Sequence, residues 1–156
     1  METTTQANVR YMNKPDMPHV LDIERESFEF AWTEEDFLST LRTNTCLGWV
    51  CDDGYRIRGF MVYEILCGEL HVLNFAVAPW ARRRGFGSQM VEKLVGKLTQ
   101  QRRARIVLEV SETNLDAQCF FRAMGFEATE VIRGHYEDTV EDAYRFVYSL
   151  SGGKFE

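Results

Sequence analysis

The chain has 156 residues, 45% of them apolar and 27% charged, with a net charge of -6. That length points to one globular domain burying roughly 70% of its unfolded surface. No apolar run reaches the ~20 residues of a membrane span, and METTTQANVR has no signal-peptide core, so a cytoplasmic protein is expected. The acidic balance argues against nucleic acid as the main ligand and admits a basic partner. Cys46, Cys51, Cys67 and Cys119 form no C-x-x-C pair and have no histidine at metal-ligand spacing. They are expected to be buried, reduced thiols, and no metal is expected.

In chain order, residues 1–6 read as a flexible N-terminus and 7–12 as a short strand. KPDMPHVLDIERESF carries a partial helical stripe at Val20, Leu21, Ile23 and Phe28. AWTEEDFLSTLRT reads as a second helix, with Thr33 as N-cap and Asp36 at the third helical position, close to a capping box. The period then changes. TCLGWVCD, RIRGFMVYEIL and ELHVLNFAV are strand-like runs separated by the turn-like DDGY and CGE. Short turns imply an antiparallel meander. GSQMVEKLVGKLTQQ has apolar residues at Met90, Val91, Leu94, Val95 and Leu98, the pattern of an amphipathic helix. RIVLEVS is a buried-type strand. NLDAQCFFRAMG reads as a helix capped by Asn114 and stopped at Gly125. FEATEVIRGHY and AYRFVYSL close the chain as strands, and 151–156 is a loose tail. The order is β-α-α-β-β-β-α-β-α-β-β, a single α/β domain over 7–150 with a parallel crossover around the third helix.

The stretch ARRRGFGS joins a strand to that helix. The first helical turn offers unpaired N–H groups and the positive end of the dipole, an anion site. Gly85 and Gly87 let a ligand approach the backbone. Ser88 adds a hydroxyl, and Arg82, Arg83 and Arg84 add local positive charge. Neither a Walker A loop nor a dinucleotide fingerprint fits, since position 90 is Met90. Taken alone, the turn is either a phosphate cradle or a basic turn that binds nothing.

R-x-x-G-x-G between the fourth strand and third helix resembles the acyl-CoA pyrophosphate loop of the GNAT N-acetyltransferase superfamily. IERESFEFAWTEEDF, LNFAVAPWARRRGFGSQMVEKL, LEVSETNLDAQCFFRAMGF and VIRGHYEDTVEDAYRF resemble, more narrowly, the RimI-type ribosomal-protein-alanine N-acetyltransferases. The resemblance covers nearly the whole chain. It implies the GNAT fold: a mixed, mostly antiparallel sheet of about seven strands with about four helices. It also implies acetyl-CoA as co-substrate, lying between the fourth and fifth strands. The pantetheine would pair with backbone at Phe75, Ala76 and Val77. The pyrophosphate would meet the Arg82, Arg83, Arg84, Gly85, Phe86, Gly87 and Ser88 segment. Asn114 matches a family asparagine near the acetyl end, although it serves equally as a plain helix cap.

The implied reaction is direct attack by an amine, most readily the α-amine of a protein N-terminus such as a ribosomal protein's. An α-amine loses its proton near pH ~7.7–8.0, a lysine only near ~10.4. Glu109 matches the family's catalytic glutamate, and a carboxylate in a buried strand suits a general base; the alternative is a salt-bridged glutamate. The family's tyrosine, which protonates the leaving thiolate, is replaced here by Phe121, counted with the cofactor-binding positions. Three accounts of that catalytic role stay open: the thiolate leaves with little help, a water stands in, or Tyr136 or His135 reaches the site; both residues also match positions on the substrate floor. Phe30 and Trp32 belong either to the loop over the substrate groove or to a core staple. Glu137, Asp138, Glu141 and Asp142 would favour a basic peptide or form a solvated loop. Cys119 and Phe121, two apart on a helix, should face apart, which argues against an acetyl-cysteine. Acetylation of a lysine or small amine, and a CoA-binding module without transfer, remain the alternatives.

Overall fold

The computed structural model describes residues 5–100, 102–134 and 141–150. Its elements are β1 (Asn8–Tyr11), α1 (Met17–Ser27), α2 (Glu34–Leu41), β2 (Cys46–Asp52), β3 (Ile57–Leu66), β4 (Glu69–Val77), α3 (Phe86–Gln100), β5 (Arg105–Ser111), α4 (Leu115–Ala123), β6 (Glu127–Ile132) and β7 (Ala143–Ser149). The strands form one mixed sheet in the order β1-β2-β3-β4-β5-β7-β6. This is the expected element order and the expected GNAT-type layout of seven strands and four helices.

Two compact units share the chain, one made of Met1–Ile65 with Leu73–Leu94 and the other of Leu66–Val72 with Val95–Glu156. In the first, β1, β2 and β3 pair antiparallel in sequence. The β2–β3 turn is held by Asp53, which accepts from Tyr55 N–H (2.9 Å), Arg56 N–H (3.0 Å) and Arg58 Nε (2.6 Å). α2 starts on a full capping box: Asp36 N–H donates to Thr33 Oγ1, and Thr33 N–H donates to Asp36 Oδ2. Phe37, the buried residue of α2, stacks edge-to-face on Trp32 and Phe60. Val20 and Ile23 of α1 and Trp49, Met61 and Tyr63 of the strands complete this core. Gly59 has no room for a side chain, because a Cβ there would lie 2.8 Å from the carbonyl oxygen of Ala76.

In the second unit, β4 and β5 pair parallel over Glu69–His71 and Arg105–Val107. β7 runs antiparallel to β5 along its whole length and to β6 on its other edge. Leu70, Ile106, Leu108, Val110 and Phe146 are buried. α4 ends in a Schellman motif. Gly125 (φ 97°) donates its N–H to the Arg122 carbonyl, Phe126 N–H reaches the Phe121 carbonyl, and the Phe121 and Phe126 rings meet at 5.3 Å.

Two expectations need correction. Only Cys46 and Cys51 are buried thiols; Cys67 and Cys119 are exposed, the first in the β3–β4 turn and the second on the outer side of α4. Phe30 and Trp32 also do not behave alike. Trp32 packs on the buried Phe37 as a staple, whereas Phe30 is 52% exposed.

Candidate active site

The turn into α3 has the backbone an anion site needs. Arg83 (φ 63°) and Gly85 (φ 84°) are both left-handed. Such alternation turns successive N–H groups to one side. It feeds directly into the first turn of α3, where the N–H groups of Phe86, Gly87 and Ser88 lack intrahelical acceptors by helix geometry. Gly85 takes this φ freely, but Arg83 takes it at a cost of about 1–2 kcal/mol. The three arginines are not equivalent. Arg82 Nε donates to the Val77 carbonyl (3.3 Å). The Arg84 guanidinium lies over the Phe86 ring, and its carbonyl accepts from Thr5 N–H (2.9 Å). Arg82 and Arg83 are exposed. Upstream, Ala76 is buried between the half-buried Phe75 and Val77. Asn74 Oδ1 accepts from Phe75 N–H (2.9 Å), while its Nδ2 donates to Glu24.

Glu24 of α1 is a buried carboxylate, 1% exposed. It accepts from Trp32 N–H (2.7 Å) and Asn74 Nδ2 (2.8 Å), so it ties the loop after α1 to β4. Burial raises its pKa above the ordinary carboxylate value, partly offset by those two donors.

In the second unit, Glu109 stands directly opposite Arg145 in the β5–β7 register. Its Oε1 is 2.7 Å from His71 Nε2, and its Oε2 is 3.5 Å from Arg145 Nε. Arg145 Nη1 continues to Glu130 Oε1 at 2.7 Å. The side chains of His71, Glu109, Arg145 and Glu130 thus form one polar row across β4, β5, β7 and β6. A groove of about 880 Å³ lies along that face, lined by Glu69, His71, Arg105, Glu130 and Arg145 among others. The Glu109 side chain is 11% exposed and that of His71 25%. The hydrogen bond to Glu109 holds the His71 imidazolium above its ordinary 6.5, against the opposing effect of burial.

Asn114 caps α4, its Oδ1 accepting from Ala117 N–H (3.1 Å), and it is exposed. Phe121 is 5% exposed, packed between Phe120 and Phe126. His135, Tyr136, Glu137 and Asp138 lie outside the described residues. Glu141 and Asp142 are engaged by their own chain: Glu141 accepts from the Ser111 and Thr113 hydroxyls, and Asp142 from Arg133 Nη1 and Gly134 N–H. These two are therefore not a free acidic patch. Sequence reasoning missed His71, Arg145, Glu24 and Asn74. For His71 the available signal was its alternation with Glu69 at the start of ELHVLN, where an all-apolar strand would be simpler.

A family model described as the acetyltransferase (GNAT) family matches residues 17–126. An Escherichia coli protein named ribosomal protein bS18-alanine N-acetyltransferase is 27% identical over 124 residues, covering 80% of this chain and 83% of that protein. The crystal structure of the ribosomal-protein-S18-alanine N-acetyltransferase from Escherichia coli superposes with a TM-score of 0.82 at 24% identity, over 97% of this chain and 99% of that one. An Arabidopsis thaliana NAA60 structure in complex with acetyl-CoA gives the same TM-score at 18% identity, over 93% of this chain and 100% of that one. The last two likenesses concern the fold. With the family model spanning most of the chain, and with the seven-stranded mixed sheet and four helices already described, this protein belongs to the acetyltransferase (GNAT) family and is an N-acetyltransferase.

Proposed function

We propose that the protein moves the acetyl group of acetyl-CoA to the α-amine of a protein N-terminus, by direct attack within a ternary complex. The observation that carries the reading is the left-handed turn at Arg83 and Gly85 opening onto the N-terminus of α3. Backbone N–H groups and a positive dipole end suit a pyrophosphate, and Arg82 and Arg83 add charge beside it. Phe75, Ala76 and Val77 offer strand backbone for the pantetheine amides. Acetyl-CoA supplies the activated acetyl thioester.

Glu109 takes the proton of the acceptor amine. It is nearly buried, its Oε1 is hydrogen-bonded to His71 and its Oε2 faces the Arg145 guanidinium, so its carboxylate is oriented. An α-amine deprotonates near ~7.7–8.0, within reach of a carboxylate relay at neutral pH. Phe121 has no proton to give, and a thiol of pKa ~8.5 leaves as thiolate with little help. Cys119, exposed on α4 where Phe121 is buried, is poorly suited to a covalent acetyl intermediate. The printed name of the Escherichia coli relative supports a ribosomal-protein N-terminus as acceptor.

The test is intact-mass detection of acetyl transfer to three acceptors: a basic peptide with a free N-terminal alanine, its N-blocked twin with an internal lysine, and a polyamine. Acetylation of the first alone is expected. Modification of the lysine or the polyamine instead would move the acceptor. No transfer to any, with CoA binding intact, would favour a CoA-binding module.

A further inference from the structure

We infer that His71 is the positioning residue of the acetyl transfer: it orients the Glu109 carboxylate and governs when that carboxylate is a competent base. This rests on the reading of Glu109 as the base. The Nε2 of His71 lies 2.7 Å from Glu109 Oε1, and among the described residues its Nδ1 has no hydrogen-bond partner. In both protonation states of the ring Nε2–H donates to Oε1, so the carboxylate stays aimed. Only Nδ1 gains or loses a proton, and it exchanges with water in the groove. With Nδ1 protonated, Glu109 is bracketed by two cations, His71 and Arg145, and its hold on an amine proton weakens. With Nδ1 bare, that added cation is gone, and Arg145, shared with Glu130, stays beside the carboxylate.

The charged groups around the ring are Glu69 from β4, Glu109 and Arg105 from β5, Arg145 from β7, and Glu127 and Glu130 from β6. The hydrogen bond to Glu109, helped by the Glu109 and Glu69 charges, outweighs burial and the Arg145 charge, so the ring keeps its proton to a pH above 6.5.

The experiment compares kcat against pH, at saturating substrates, for the wild type and for His71→Gln and Glu109→Gln. NMR titration of the His71 ring accompanies it. His71→Gln keeps a donor and removes the titration. Relative to its own maximum, it should be about threefold or more faster than the wild type at pH 6, the change expected of half a pH unit. The ring of the wild type should titrate above 6.5 and fall back in Glu109→Gln. A His71→Gln profile that superimposes on the wild type, with Glu109→Gln slow, overturns the role of His71 alone. Full activity in Glu109→Gln with CoA affinity intact overturns the base assignment, and the role of His71 with it. A wild-type ring titrating at or below 6.5 overturns the inference even where both variants are slow.

Discussion

Glu24 holds together parts of the chain far apart in sequence, with the Trp32 amide on one oxygen and the Asn74 side chain on the other. Removing the carboxylate leaves both donors without an acceptor, at about 1–3 kcal/mol. Glu24→Ala is therefore expected to lower the unfolding free energy by that amount, read as a lower urea midpoint at unchanged slope. Glu24→Gln, which keeps an acceptor oxygen and sheds a charge that burial disfavours, should cost less. A Glu24→Ala midpoint equal to the wild type would contradict the buried-tie account. Phe121 poses the other residue-scale question. It occupies the helical position that touches Phe126 in the Schellman contact, so its ring is retained for packing whatever a hydroxyl there would do. A general acid contributes typically ~10²–10⁴-fold. Phe121→Tyr is expected to raise kcat if thiolate departure is slow. An unchanged kcat with intact CoA binding would mean that another group or step fills that role.

Among the elements, the turn into α3 stores conformational cost where a ligand can use it. Gly85 has φ 84° and Arg83 φ 63°. Gly85→Ala puts a Cβ into the left-handed region and should cost about 1–2 kcal/mol of stability. It should also weaken CoA binding by more than that stability loss explains, measured by calorimetric titration on the folded variant. Loss of stability with CoA affinity unchanged would separate the turn from the ligand. The β2–β3 turn is a purely structural counterpart. Burial works against the Asp53 carboxylate, but its Arg56 and Tyr55 amides and the Arg58 guanidinium outweigh that and bring it down to about 2.

Across the whole molecule these groups set opposite trends with pH. Asp53 and Asp16 have lowered values, Asp16 chiefly through its hydrogen bond from Arg10. Their contributions are complete above the unfolded value of 3.8 and disappear as pH falls through the folded values, toward about 2 for Asp53. Glu24 and His71 have raised values. Their contributions are complete below 4.5 and 6.5 respectively and are lost as pH rises through the folded values. Melting temperature should therefore decline as pH falls below about 4, and Asp53→Asn should flatten that decline. A wild-type curve level from pH 5 to pH 2 would rule this out. No helix among the described residues is long and apolar enough to cross a membrane.

Most elements were readable from the chain because their signals are local. The Thr33 capping box, the apolar stripe of α3, the Gly125 stop and the alternation of β5 each lie within a few residues of what they specify. The left-handed turn into α3 was readable for the same reason: its glycines, its arginines and the helix start are contiguous. What could not be read depends on strand pairing. β7 lies between β5 and β6, although both neighbours precede it in the chain. That insertion sets Arg145 opposite Glu109. The short parallel register of β4 and β5 brings His71 to the same carboxylate across 38 positions. Glu24 meets Asn74 across 50. Burial and partner choice for the strand residues are properties of those registers, and a one-residue slip would turn His71, Glu109 or Arg145 to the opposite face. The sequence by itself determined the order of elements, since local hydrogen bonding and periodicity specify it, and its motifs carried the family resemblance. Only the tertiary structure decided which charges meet Glu109 and which carboxylates are spent on the protein's own backbone, because long-range pairing alone brings those groups within hydrogen-bond reach.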